Sequence, residues 1–203
     1  MTPKALSLTI SLLGLSLFNS NDKYLTIRKT ISEVRVLEEG LKSELLGFKK
    51  MGVSEDFFDG AQKDKDYYPL KFKRNNDTFY PNLNVEYFYT ESDSTVNAVV
   101  YDWDIMNHVN NLKTDVNKIE EQVSRKKEYE IKYNSVQTEL IELLGEPIVN
   151  KKEKSQQGYF YHSSWEKGDM LTELRMSFTP KLQQAGPFKF GTFRIRLKTF
   201  WKR

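Results

Sequence analysis

The segment 192–202 alternates apolar and basic side chains with a period of two. Its apolar positions are Phe193, Ile195, Leu197, Thr199 and Trp201. Its basic positions are Arg194, Arg196, Lys198 and Lys202, with Phe200 among them. This period is typical of a β-strand that packs one face on a core and turns the other towards water. Such a sheet needs a covering layer, so the sequence predicts helices on one side of it.

The rest of the chain supplies both kinds of element. Hydrophobic residues at three- and four-residue spacings predict helices over 23–50 and 107–145, the second with a break at 133–135. Further strands and hairpins are predicted at 84–90, 96–103, 158–165 and 170–178. The charged segment 150–157 is predicted to be a solvated loop. The expected fold class is α+β, an antiparallel sheet packed by long helices. A further hypothesis is two similar α–β lobes, 21–106 and 107–203.

An uncharged run, ALSLTISLLGLSLF, occupies 5–18 between one lysine and a polar stretch. This order is that of a secretory signal peptide. As a helix the run would span roughly 21 Å at ~1.5 Å per residue, short of the ~30 Å hydrocarbon core of a membrane. We therefore predict a signal peptide over 1–20, one domain over 21–203, and a periplasmic or extracellular location without a permanent transmembrane anchor. An uncleaved anchor and an ordinary buried helix are the alternatives.

The composition excludes several classes of function. The net charge is only +3, from 31 basic and 28 acidic residues of mixed distribution, which argues against a nucleic-acid partner. Cysteine is absent and there are two histidines, so disulfides, thiolate chemistry, iron–sulfur clusters and histidine-rich metal sites are excluded. No cofactor is predicted, and the protein is not expected to be an enzyme.

One pattern could carry acid–base or metal chemistry. Asp102 and Asp104 share one face of a strand, about 6.6–6.8 Å apart at ~3.3–3.4 Å per residue, and His108 follows. Such oxygens suit a hard cation or a general base. The simpler interpretation is that an aspartate at a strand end caps the free backbone N–H groups of a following helix. We adopt capping and keep an oxygen-ligated metal hydrolase as the third functional hypothesis.

Aromatic residues are dense between positions 67 and 103. If exposed, they could bind a glycan or a small ligand, and the candidates for such a face are Tyr67, Tyr68, Tyr87 and Tyr89. If buried, they are the core beneath a helix. The core interpretation is preferred, and the tyrosine site is the second functional hypothesis.

The basic side of the last strand is the leading candidate for binding. It consists of Arg194, Arg196, Lys198 and Phe200. The strand at 170–178 offers one acid, Glu173, on its matching face, so most of these charges are expected to stay unneutralised. One interpretation is protection of a sheet edge against aggregation. The other is a docking face for an acidic partner or an anionic envelope surface.

A short pattern resembles a known envelope unit. The helix end YNSVQTELIELLGEP over 133–147 is followed by an aromatic-rich strand that ends at Trp165, and then by a second strand. This order resembles the helix–LGxP–strand–strand unit of beta-lactamase-inhibitor-like proteins and small outer-membrane assembly lipoproteins, and exported proteins of flavobacterial type. The resemblance covers 133–201 and implies a non-catalytic module that binds a protein in the bacterial envelope. The lipidated cysteine of the lipoproteins is missing, so a lipid anchor is not implied.

Overall fold

The computed structural model describes residues 23–48, 68–75, 78–90, 92, 94–110, 115–185 and 188–202. The predicted signal peptide lies outside these residues. The described helices are α1 (Ile31–Gly40), α2 (Val116–Gln122) and α3 (Lys126–Leu144). The described strands are β1 (Glu44–Phe48), β2 (Tyr68–Arg74), β3 (Leu83–Tyr89), β4 (Val96–Asp104), β5 (Val149–Lys154), β6 (Tyr159–Lys167), β7 (Met170–Phe178), β8 (Gln183–Ala185), β9 (Phe188–Phe190) and β10 (Phe193–Trp201).

Eight of these strands form one antiparallel sheet in the order β1-β2-β3-β4-β10-β7-β6-β5. β8 and β9 form a separate small hairpin. The first four strands therefore follow chain order from one edge, β5 to β7 follow it from the other edge, and β10 joins the two sets. The predicted α+β class with an antiparallel sheet is confirmed. The sheet is continuous across the predicted lobe boundary.

The main core lies between the helices and one face of the sheet. Odd-numbered residues of β4 and β10 point into it, including Tyr101, Trp103 and Leu197. The helices contribute Val34, Leu37, Tyr129, Tyr133, Val136 and Leu140. Every residue of β4 is buried, and the strand lies in the middle of the sheet between β3 and β10.

α1 is much shorter than the helix predicted over 23–50, and that prediction is wrong for 23–30 and 41–48. A capping box fixes its start, since the Thr30 and Glu33 side chains each bind the other residue's backbone N–H. After the helix, Lys42 adopts a positive φ of 55° and the chain turns into β1. Pairing of β1 with β2 replaces the helical continuation, because an apolar run this short is compatible with either structure.

The second helical region runs from Val116 to Leu144, with one 3-10 turn at Val123–Arg125. The break predicted at 133–135 is wrong, because Tyr133 is buried and shares a hydrogen bond of 2.8 Å with Ser163. The predicted stop at Gly145 is confirmed by its positive φ of 88°. Among the described residues, no helix combines the length and hydropathy needed to cross a membrane.

The loop predicted over 150–157 is replaced by β5 over most of its length. β5 pairs with β6 from Val149 to Lys154 although its side chains are charged and exposed. The strand lies at the edge of the sheet, where lysine side chains are compatible with pairing on one side and discourage pairing on the other. Backbone pairing therefore outweighs the loop-like composition here.

Candidate functional site

The face of the sheet turned away from the helices carries the predicted basic residues of β10. We call it the second face. In the register of the sheet, Arg194 lies opposite Asp104, and Arg196 lies opposite Asp102. On the other side of β10, Lys198 lies opposite Glu173 of β7. These six residues, called the charge ladder below, change sign from β4 to β10 and from Lys198 to Glu173 of β7, and Arg175 of β7, opposite Arg196, interrupts this alternation.

The two arginine–aspartate pairs have close geometry. Arg196 binds Asp102 through two hydrogen bonds, with Nε–Oδ1 at 3.0 Å and Nη2–Oδ2 at 2.8 Å. Arg194 donates to Oδ2 of Asp104 and also lies 3.7 Å from Oδ1 of Asp102. The side chains of Asp102 and Asp104 are only 10% and 4% exposed. The arginines therefore cover their partners and neutralise them.

Burial and ion pairing determine how strongly the basic side chains of β10 hold their charge. Burial disfavours the charged form of Arg196, but the hydrogen bonds and charge of Asp102 outweigh it, so the pKa of Arg196 is raised. The pKa of Lys198 is lowered, first by burial and then by the neighbouring charge of Arg196. Arg196 is therefore a fixed cation, whereas the surroundings of Lys198 disfavour its charged form.

The unneutralised basic stripe predicted for the last strand is wrong for its two arginines. The prediction considered only Glu173 of β7 as a partner, whereas β10 also pairs with β4 and meets Asp102 and Asp104 there. Protection of a sheet edge is also wrong as an explanation, because β10 lies between β4 and β7 in the interior of the sheet. Most of the positive charge of β10 is thus neutralised by carboxylates within the sheet.

The fourth predicted residue, Phe200, is 4% exposed. It belongs to an apolar cluster on the second face, whose other members are Phe88, Ala98, Val100 and, at its border, Leu171. Phe200 therefore packs within the protein in this structure and presents little surface to a partner. The second face is apolar at this end and charged at the other.

Further ion pairs extend the charged region on both sides of the ladder. Lys71 of β2 lies 2.8 Å from Glu86 of β3. On the other side, Glu173 lies 2.9 Å from Arg175 and 3.7 Å from His162. The pKa of His162 is lowered, mainly by burial and then by Arg175, which disfavours the charged form that an ion pair with Glu173 needs. The carboxylates of this region therefore each lie beside a basic side chain, although Arg175 also lies opposite Arg196.

The second pattern from the sequence, Asp102 and Asp104 with His108, does not converge on one point. The capping role predicted for Asp104 is confirmed, since its Oδ1 accepts a hydrogen bond of 2.9 Å from the backbone N–H of Met106. His108 instead lies 3.4 Å from the carbonyl oxygen of Asn82, and burial lowers its pKa. No cluster of three or more metal-ligating side chains occurs in the described part of the chain.

Two of the four tyrosines predicted as a binding face, Tyr87 and Tyr89, lie against the main core. Tyr67 lies outside the described residues, and Tyr68 is the first residue of β2. Tyr87 is fully buried, and Tyr89 is half-buried against the main core. The core interpretation of this aromatic segment is supported by Phe72, Tyr101 and Trp103, which are buried in the same cluster.

A buried charge network went unpredicted from the sequence. Arg74, at the end of β2, binds Glu38 of α1 and the hydroxyl of Tyr87, and both charged side chains are almost fully buried. Its Nη1 also donates to the carbonyl oxygen of Lys23 at 2.7 Å. The period of two in β2 could have indicated that Arg74 is buried, because Arg74 follows Leu70 and Phe72 on the buried side of the strand.

The nearby Tyr101 belongs to the same network. Its ring lies 5.4 Å from the Arg74 guanidinium, and its hydroxyl accepts a hydrogen bond of 2.7 Å from the backbone N–H of Leu25. Burial raises the pKa of Tyr101 to about 12. The network therefore fixes the chain at Lys23 and Leu25 to the sheet and has no solvent-facing group for catalysis.

Comparisons with known proteins gave no match: no protein-family model, no curated protein and no solved structure is similar to this chain.

Proposed function

We propose that this protein is an exported, non-enzymatic module that binds another protein in the bacterial envelope through the charged region of its second face. The observation that carries the proposal is the charge ladder. It consists of Asp102, Asp104, Glu173, Arg194, Arg196 and Lys198, held by cross-strand pairing at the centre of the sheet.

The pairing favours recognition of a folded protein surface. Side chains that are already fixed lose little conformational entropy on binding, so more of the interaction energy appears as affinity. Alternating charges give specificity, because a wrong partner places like charges against each other. Since the arginines are neutralised within the sheet, the face lacks the uniform positive field that attracts nucleic acids or anionic membranes. The partner is therefore a protein with its own mixed pattern of charges.

We also propose that the chain consists of two similar α–β halves, 21–106 and 107–203. The order of elements supports this. α1 precedes four strands, β1 to β4, and the second helical region precedes β5, β6, β7 and β10. The first strand of each set forms an outer edge of the sheet, and the last strand of each set lies at the centre. In this arrangement the charge ladder spans the junction between the halves.

Site-specific photo-crosslinking in the native host tests the binding face. A photoreactive amino acid replaces Arg175, whose side chain is 55% exposed, or Lys73, whose side chain is 30% exposed. Matched controls carry it at the exposed positions Lys127 and Thr138 of α3, on the opposite side of the sheet. We expect one discrete protein adduct from the two second-face positions only. Equal labelling from both sides, labelling from α3 alone, or no adduct would contradict the proposal.

N-terminal sequencing tests export. The expected product is an extracytoplasmic protein that begins between residues 17 and 22. Such cleavage would leave Lys23 and Leu25, which contact the buried network, in the mature chain. An intact chain confined to the cytosol of the native host would contradict this part of the proposal.

A further inference from the structure

A cavity of about 440 Å³ lies at the end of the sheet remote from the Arg194–Asp104 pair. It is lined by the segment Thr26–Arg28, the end of α3, the β6–β7 turn and the end of β10. Its volume falls within the range of about 300–1,000 Å³ that is usual for small-molecule sites. None of the charge-ladder residues lines it, so an inference about this cavity does not depend on the proposed protein-binding face.

The wall of the cavity is apolar over one side. Five apolar residues contribute to it: Ile27, Leu143, Leu144, Met170 and Trp201. Met170 and Trp201 are each 3% exposed, so they form the fixed floor of the cavity, and the accessible apolar surface comes from Ile27, Leu143 and Leu144. A ligand with an apolar body can therefore exchange water for hydrocarbon contact here.

The polar side of the cavity carries two cations without acidic partners. Arg28 donates to the carbonyl oxygen of Val96 at 3.3 Å and to the side-chain oxygen of Asn97, and both acceptors are uncharged. Lys167, the exposed last residue of β6, also lies in the cavity lining. Neither Arg28 nor Lys167 forms an ion pair with any residue that the structure describes, in contrast to the paired arginines of the charge ladder.

The position of Arg28 is fixed by its own hydrogen bonds. Asn97 is fully buried and donates through Nδ2 to the carbonyl oxygen of Thr95 at 3.2 Å, which holds its side-chain oxygen towards Arg28. A pre-positioned guanidinium can bind an anion with little further ordering. With Asp169 also in the lining, two positive charges and one negative charge leave a net charge of +1.

We propose that this cavity binds a monoanionic amphiphile, a carboxylate with an unbranched apolar chain of medium length. The carboxylate pairs with Arg28 and Lys167, and the chain packs against Leu143, Leu144, Met170 and Trp201. The single net positive charge matches a carboxylate better than a doubly charged phosphate monoester. Each methylene that leaves water raises the affinity about fourfold, until the chain fills the cavity.

Titration of the full chain with decanoate tests this proposal, with isothermal calorimetry and tryptophan fluorescence as readouts. Decanol and decyltrimethylammonium are the matched probes, since they keep the chain and remove or reverse the charge. All concentrations stay below those at which the probes form micelles. We expect saturable decanoate binding, an affinity that increases from hexanoate to decanoate, and at least tenfold weaker binding of both matched probes. Equal binding of the three probes, or none, would overturn the proposal.

Two variants and their controls locate the site. Lys167→Gln removes one cation from the exposed end of β6, and we expect it to weaken decanoate binding several-fold without affecting decanol. Arg28→Gln is expected to weaken decanoate at least tenfold. Lys127→Gln and Arg35→Gln, exposed on α3 and α1, should bind as the unmodified chain does. If Arg28→Gln fails to fold, Lys167→Gln decides alone: unchanged decanoate affinity in that variant would overturn the proposal.

Discussion

Arg74 donates from Nε to both carboxylate oxygens of Glu38 at 3.1 Å, and the two side chains are 2% and 0% exposed. The pair joins α1 to the end of β2. A buried ion pair contributes little beyond what apolar residues would, but removal of one partner leaves the other charge without compensation in a medium of low polarity. Replacement of one partner alone should therefore destabilise the protein more than replacement of both together.

Replacement of Glu38 by glutamine should lower the free energy of unfolding by about 3–5 kcal/mol, because Arg74 then remains charged and buried. Urea unfolding followed by circular dichroism measures this. Glu39→Gln, at an exposed neighbouring position of the same helix, should change stability by less than about 0.5 kcal/mol. The double replacement of Glu38 and Arg74 by methionine should recover part of the loss. A loss below about 1 kcal/mol for Glu38→Gln would contradict the structural role of the pair.

Reversal of the basic residues of β10 should destabilise the protein. In the triple variant Arg194→Glu, Arg196→Glu, Lys198→Glu, new carboxylates face Asp102 and Asp104 across the β4–β10 pair. We expect a decrease in Tm of at least about 5 °C, since each kcal/mol corresponds to roughly 2–4 °C in a chain of this size. Adding Asp102→Arg and Asp104→Arg restores opposite charges and should recover part of the loss. Unchanged Tm in the triple variant would mean that the pairs contribute nothing.

The two histidines should make stability depend on pH. Burial lowers the pKa of both His108 and His162 in the folded chain below the ordinary value of 6.5. Between that lowered pKa and 6.5, the unfolded chain therefore binds more protons than the folded chain. Stability therefore increases with pH in that window and is lost as the pH falls below about 6.5.

Thermal unfolding between pH 7.5 and 5.0 checks this dependence. The unmodified chain should lose more stability over this range than the double variant His108→Gln, His162→Gln. Ionic strength is kept constant so that screening does not change. Parallel pH profiles for the two proteins would show that the histidines are not responsible.

Gly145→Ala should cost about 1–3 kcal/mol, because the residue that ends α3 has a φ of 88° and a ψ of −168°, a conformation that is essentially restricted to glycine. Nothing within 4 Å would contact the added methyl group, so the effect is conformational rather than steric crowding. Gly40→Ala is the matched control. Gly40 is the last residue of α1, and alanine there should be neutral or stabilising. Chemical unfolding of both variants distinguishes the two positions, and an equal effect would contradict the argument.

The parts of the fold that could be predicted from the sequence are those set by local pattern. Period-two alternation located the last strand to within a residue, and the glycine at 145 marked the end of α3 correctly. The strand β1 and the edge strand β5 could not be recognised, because their pairing partners lie elsewhere in the chain and their own residues suggest a helix and a loop.

The candidate site shows the same limit. The sequence placed Arg194 and Arg196 on one face of a strand, and that alternation holds in the register of the sheet. Their neutralisation depends on which strand lies beside β10, and that strand is β4, about 90 residues earlier in the chain. Alternation within one strand contains no information about the order of strands. For the same reason the sequence could not predict the pairing of Glu38 with Arg74, because the two residues lie on separate elements.

The central position of β10 also affects how the protein is made. Synthesis releases segments from the N-terminal side first, so β1 to β4 emerge long before the strand that joins them to β7. Contacts between residues so far apart in the chain slow folding. Until residues 193–201 have left the ribosome, the inner edges of β4 and β7 stay unpaired and the eight-stranded sheet cannot close.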